Sequence, residues 1–185
     1  DYQYLGLYTY GLKVIDLMNP KFIVAENVGG LSSSNEGKAF ELILNKLETG
    51  GKYGYNLTVH KYKAENYGVA QKRHRIVIVG MRKDLDLFFK VPAPTTKDKP
   101  LTVGEVLENP PINDKAYNHE FTKQSKRVIE RLGLIKPGQN VWKADLPDHL
   151  KLNVKGAKLS QIYRRLKFDE PSYTITGSGG GGTHG

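Results

Sequence analysis

Leu12, Val14, Ile15, Leu17 and Met18 set apolar residues at helical spacing, and Asn19-Pro20 is a helix stop, so a short amphipathic helix is expected there. Phe22-Ile23-Val24-Ala25 follows as an uninterrupted apolar run, the pattern of a buried parallel strand, and ends abruptly in Glu26-Asn27. Gly29 to Asn35 is loop chemistry. Phe40, Ile43, Leu44 and Leu47 then mark one face of a second amphipathic helix, which Gly50-Gly51 terminates. Tyr55 to Tyr62 alternates as a strand should, and after a turn Ile76-Val77-Ile78-Val79 reads as a second buried strand. Helix, strand, helix, strand, strand is the order of the second half of an α/β domain, with an antiparallel pair at its end. Pro92-Ala93-Pro94 reads as a boundary, dividing the chain into residues 1–95 and 96–185. Beyond it the apolar runs shorten. Two short helices are expected, around Val103 to Leu107 and Ser125 to Leu132, and no regular period continues past Asn140. Ser178 to Gly182 has the composition of a flexible linker.

Charge adds a partner class to this picture. The 185 residues carry 28 Lys and Arg against 19 Asp and Glu, a net +9. Divided after Thr95, the first part holds 13 basic against 9 acidic residues and the second 15 against 10, so the excess is spread rather than gathered in a tail. A spread excess suits a folded surface facing a polyanion, although a generic basic protein has the same charge. There is no cysteine, which excludes disulfides, thiolate metal sites and a cysteine nucleophile within this stretch and makes a cytosolic origin the default. No apolar run approaches the roughly 18 residues of a membrane span, and no secretory signal pattern is present. The five histidines show no ligand spacing, so no metal site is expected.

Two segments carry candidate chemistry. Glu26 directly follows a buried strand, at the carboxyl edge where open α/β sheets place their ligands. Partial burial there would let it keep or share a proton and donate to a ring nitrogen; a solvated strand-end acid is the plainer alternative. Gln71-Lys72-Arg73-His74-Arg75 feeds into the Ile76 strand. If that segment is extended, Gln71, Arg73 and Arg75 share one face, and Lys72 and His74 the other. Two guanidiniums on a face suit phosphate or a carbonyl oxygen; a solvated basic strand is again the alternative.

Together these segments resemble a known family. Pro20-Lys21-Phe22-Ile23-Val24-Ala25-Glu26-Asn27-Val28 is similar to the Pro-Lys...Glu-Asn-Val block of cytosine-5 DNA methyltransferases. Tyr67-Gly68-Val69-Ala70-Gln71-Lys72-Arg73-His74-Arg75 resembles that family's Tyr-Gly-x-x-Gln-x-Arg-x-Arg block, and the two lie in the expected order with one helix and one strand between them. Gly6-Leu7-Tyr8 resembles the remnant of an upstream turn that reaches toward the methyl donor, which makes Leu7 a candidate donor contact. Leu101 to Leu107 is similar to the entrance of the target-recognition region. Asn118 to Thr122 resembles a stretch found in some members. Arg164-Arg165-Leu166 with Pro171 to Gly177 resembles that region's closing block.

The resemblance implies an α/β fold: the second half of a Rossmann-like S-adenosylmethionine-dependent methyltransferase sheet, followed by a smaller, irregular target-recognition domain. It implies a DNA (cytosine-5-)-methyltransferase of the bacterial restriction-modification type, cytoplasmic and associated with the nucleoid. Its substrate would be double-stranded DNA, its cofactor S-adenosylmethionine, and no metal would take part. By the same resemblance Glu26 would hydrogen-bond N3 and the exocyclic amine of a flipped cytosine, and Arg75 would hold O2. Arg73 would stabilise the catalytic loop or a phosphate. Gln71, Arg164, Arg165 and Thr174 are the candidate DNA contacts. The family's glycine-rich donor motif and Pro-Cys loop are expected upstream of residue 1, and its closing motif downstream of residue 185. The chain alone is therefore expected to be inactive: a fragment, one subunit of a split enzyme whose other portion is separate, or a non-catalytic DNA-binding piece.

Overall fold

A computed structural model describes residues 6–28, 37–117, 119, 123–154 and 160–175. The Gly29 to Asn35 loop, most of the Asn118 to Thr122 stretch, Thr176-Gly177 and the Ser178 to Gly182 linker lie outside the described residues. The elements are α1 (Leu7–Met18), β1 (Phe22–Val28), α2 (Lys38–Thr49), β2 (Tyr55–Lys63), β3 (Gln71–Lys72), β4 (His74–Arg82), α3 (Val103–Glu108), α4 (Lys126–Leu134) and β5 (Ser172–Tyr173). They fall into two compact units. One comprises Asp1–Lys63 and His74–Pro94, the other Ala64–Arg73 and Thr95–Gly185. The ten-residue excursion between β2 and β4 thus packs with the second unit, a long-range arrangement that the Pro92-Ala93-Pro94 punctuation does not express.

The first unit is a three-stranded sheet in the order β1-β4-β2. β4 is antiparallel to both neighbours, so β1 and β2 run parallel to each other with a reversed strand between them. This keeps the expected antiparallel pair but corrects the reading of Phe22 to Ala25 as a buried parallel strand. That run is apolar at every position, as suits a strand covered on both faces, yet the described residues cover only one. Ile23, Ala25, Leu57, Tyr55, Ile76 and Ile78 face Ile15 of α1 and Phe40, Ile43, Leu44 and Leu47 of α2 in a common core. On the opposite face Phe22 and Val24 remain 62% exposed.

Gly80 sets how closely the strands of this core approach. A Cβ there would lie 2.7 Å from Cγ1 of Ile23 and 3.0 Å from Cδ2 of Leu57, so any side chain would push β1 and β2 away. α1 ends where Asn19 adopts a left-handed conformation and its N–H donates to the Ile15 carbonyl, the local turn that Asn tolerates and Pro20 then seals.

The second unit has less regular structure. α3 begins with a reciprocal cap, in which Thr102 Oγ1 accepts from the Glu105 N–H and Glu105 accepts from the Thr102 N–H. Ser125 caps α4 one way, its Oγ accepting from the Val128 N–H. Ile135, Val141, Leu146 and Leu150 form a small core behind α4. Arg131 is buried at its edge, donating from Nε to the Leu150 carbonyl at 2.6 Å and lying over the Tyr163 ring. Two-residue strands β3 and β5 pair in parallel, Gln71 with Ser172 and Lys72 with Tyr173. Among the described residues no helix is long and apolar enough to cross a membrane.

Candidate active site and nucleic-acid interface

In the first unit the sheet register brings Glu26 and Arg75 together. Glu26 is paired with Val77, and Val28 with Arg75, so Glu26 and Arg75 are diagonal neighbours on one face. Arg75 Nε forms an ion pair with Glu26 Oε1 at 2.7 Å, and its Nη1 donates to the His74 carbonyl at 2.8 Å. Arg75 is mostly covered, with 21% of its side chain exposed, while Glu26 is 54% exposed. The burial expected around Glu26 is therefore not supplied by the described residues; what Glu26 has is a charge partner. These contacts engage Nε and Nη1 of Arg75 and one carboxylate oxygen of Glu26.

The same face continues as an apolar slope. Phe22, Val24, Tyr62, Val77, Val79, Met81 and Phe89 line an open cleft of about 570 Å³. His60, cross-strand from Val77, stands edge-on to the Tyr62 ring, with centroids 4.7 Å apart.

Arg73 belongs to the other unit, and the extended geometry assumed for residues 71–75 does not hold. β3 stops at Lys72 and the Arg73 N–H turns back to the Gln71 carbonyl at 2.8 Å, so alternation is broken between Arg73 and Arg75. Arg73 is exposed. Gln71 lies in the β3–β5 ladder.

The second unit gathers the remaining candidates around β3 and β5. Thr174 Oγ1 donates to the Lys72 carbonyl at 2.9 Å, tying the segment after β5 to β3. The Arg164 guanidinium lies 4.2 Å over the Tyr173 ring, and the Tyr173 hydroxyl donates to the Arg164 carbonyl at 2.6 Å. Arg165 is engaged differently. Its Nη1 donates to the Ile135 carbonyl at 2.8 Å, satisfying the end of α4, so the adjacent arginines do unlike work.

Sequence reading passed over Lys72, Lys167 and Glu170, which join Arg164 at this cleft. Lys72 Nζ contacts Glu170 Oε2 at 2.9 Å and Lys167 Nζ lies 3.9 Å from Oε1. The Lys72 hydrogen bond, with the charges of Lys167 and Arg164, holds the Glu170 carboxyl below its ordinary range. The available signal was a lone acid pair, Asp169-Glu170, between a basic run and the Pro171 to Thr174 block.

The described residues do not make a cradle for S-adenosylmethionine. β1 runs through Glu26-Asn27 to Val28, and Leu7 is the first residue of α1. The neighbouring cleft, about 390 Å³, is lined by Tyr8, Val14, Ile15, Ile23, Ile43 and Leu47 among others, with no charged group to meet an amino-acid or ribose moiety.

Comparison with known proteins agrees with this geometry. The model of the C-5 cytosine-specific DNA methylase family matches residues 2–178. The chain is 58% identical to the Type II methyltransferase M.BbvI of Brevibacillus brevis over 98% of its own length and 48% of that protein's. With M.NgoFVII of Neisseria gonorrhoeae it shares 39% identity over 97% of its length and 48% of the relative's. It thus spans about half the length of these curated relatives. A solved structure of a prophage-encoded DNA modification methyltransferase of E. coli shares the fold, with a TM-score of 0.63 over 92% of this chain and 57% of that one at 19% identity. The reversed strand between two parallel ones, the ion pair at their ends and the match across nearly the whole sequence lead to one assignment: the chain belongs to the C-5 cytosine-specific DNA methylase family.

Proposed function

We propose that the complete protein transfers a methyl group from S-adenosylmethionine to C5 of a cytosine flipped out of duplex DNA, within a bacterial restriction-modification system. In this reading the chain supplies the groups that hold the base, in residues 1–95, and part of the DNA-reading surface, in residues 96–185. Its relatives' names and the family match support the reading, and the Glu26–Arg75 pair carries it. Cytosine offers an acceptor at O2, an acceptor at N3 and a donor at its amine. Arg75 Nη2 donates to O2, and Glu26 exchanges its ion pair with Arg75 Nε for the base, one oxygen accepting from the amine while the other, then protonated, donates to N3. Both contacts draw electron density from the ring, which otherwise resists attack at C6. The attacking thiolate comes from outside these residues, since the chain has no cysteine. Flipping costs a few kcal/mol of unstacking, offset by these contacts once the pocket is enclosed. Such an enzyme acts in the cytoplasm, on nucleoid DNA.

The test uses the full-length protein, a duplex carrying its recognition sequence, and bisulfite conversion to locate the methyl group. C5 methylation that Glu26→Gln reduces far more strongly than it reduces DNA affinity is the expected result, because the amide can accept from the base amine but cannot deliver the acid proton. Transfer to adenine, or equal loss of turnover and affinity, would contradict the assignment.

A further inference from the structure

The cleft in the second unit is built around a single carboxylate. It encloses about 200 Å³ and is lined by Lys72, Gly138, Arg164, Lys167, Glu170 and Tyr173, with Arg165 at its margin. Its cations are held in place from beneath. Arg164 rests on the Tyr173 ring. Lys167 lies across Gly138, which takes φ +80°, and a Cβ on that glycine would sit 2.6 Å from Cε of Lys167, so the lysine stem occupies the space a side chain would fill. The Gly138 N–H donates to the Arg165 carbonyl and the Arg165 N–H to the Gln139 carbonyl, fixing the two segments together. Three cations, Lys72, Arg164 and Lys167, thus act on one acid, and the two lysines both reach it, while the Arg165 guanidinium is turned to the Ile135 carbonyl.

An isolated ion pair would not call for this arrangement. Glu170 satisfies Lys72 and part of Lys167, while the guanidinium of Arg164 has an aromatic face below it rather than a carboxylate. Positive charge remains in a concave site, where low-dielectric walls strengthen it. We propose that this cleft takes a backbone phosphodiester of the nucleic acid, and that Glu170 is its resident counter-ion, competing with the phosphate for Lys72 and Lys167 and holding down sequence-independent affinity. The inference rests on the reading of this family member as a DNA-acting protein and adds a site and a regulating residue to it. Glu170 acts through the lysines; it does not touch the DNA.

Anisotropy of a labelled mixed-sequence duplex, titrated with this chain across a salt series, tests the proposal. Glu170→Gln is expected to tighten binding several-fold at low salt and to steepen the salt dependence by about one unit, the contribution of one more neutralised phosphate. Lys167→Met, which leaves the Lys72–Glu170 contact between β3 and the β5 approach intact, is expected to weaken binding and flatten the slope. Melting temperatures of the variants separate these effects from loss of fold. Glu170→Gln binding that is unchanged or weaker with an intact melting temperature overturns the proposal. So does competition by millimolar inorganic phosphate that removes the Glu170→Gln gain while sparing wild-type binding, since the cleft would then be a small-anion site. A wild-type chain with no affinity for duplex at any salt would instead strike the wider reading.

Discussion

Arg75 is held by Glu26 Oε1 on its Nε and by the His74 carbonyl on its Nη1, which leaves further guanidinium N–H groups, those of Nη2 among them, to offer a base. Replacing Arg75 with Ala in the full-length protein should remove one charge-assisted hydrogen bond to cytosine O2, at a cost on the order of 1.5–3 kcal/mol. The loss belongs to the flipped state. It is read as reduced fluorescence of 2-aminopurine at the target position, with the salt dependence of duplex binding nearly unchanged. Arg73, exposed and on the far side of the turn at Gln71, should behave in the opposite way. Arg73→Ala is expected to leave flipping intact, weaken binding broadly and flatten the salt slope by about one unit if it meets a phosphate. A flattened slope for Arg75→Ala with normal flipping would reverse the two roles. The resemblance supplied both arginines by position. That they sit on opposite sides of a break in the backbone became visible only with the hydrogen bonds.

At the scale of elements, α3 shows how a local motif turns into a measurable term. The helix has six residues, too few to persist by propensity alone, and its start is fixed by the Thr102–Glu105 box. Thr102→Ala should therefore cost about 1 kcal/mol, read as a lowered melting temperature of the chain. The Thr102 backbone and hydroxyl contacts hold the Glu105 carboxyl below its ordinary value. A depressed folded-state pKa means that this contribution is present above the ordinary carboxylate pKa and is lost as pH falls through the folded value. In melts taken from neutral pH downward, the gap between wild type and Glu105→Gln should shrink in that acid window. A gap that widens as pH falls would show that the box does not act through the carboxylate. Helix and strand positions in the first unit were legible from periodicity because each repeats a simple pattern. α1 spans more than its apolar stretch, starting at Leu7, because its first turn is polar and aromatic rather than periodic.

For the whole molecule, apolar surface outweighs what a self-contained unit of this size leaves in water. Phe22, Val24, Val14, Leu17 and Met18 are 55–81% exposed on α1 and β1. The chain alone should enhance the fluorescence of an apolar-surface dye, and calorimetry should detect no tight binding of S-adenosylmethionine, since the two clefts beside β1 are lined almost wholly by apolar residues. Tight donor binding by this chain would contradict the apolar character of the α1–β1 cleft.

The sequence by itself determined the family, through two blocks at the right separation, and the alternation of helices and strands up to Pro94, because these depend on residue type and short-range period. It also pointed to Glu26 and Arg75 as partners in one chemistry. Tertiary structure decided three things that periodicity cannot carry. β1 is antiparallel to its neighbour, because strand direction depends on which strand fills the gap beside it rather than on its own apolar pattern. Residues 64–73 pack with the second unit, because β3 finds its partner at β5, about a hundred positions away by the 98-residue separation of Lys72 and Glu170. Arg164 and Arg165 take different tasks, because one meets an aromatic ring and the other a helix end that lies 30 residues earlier in the chain.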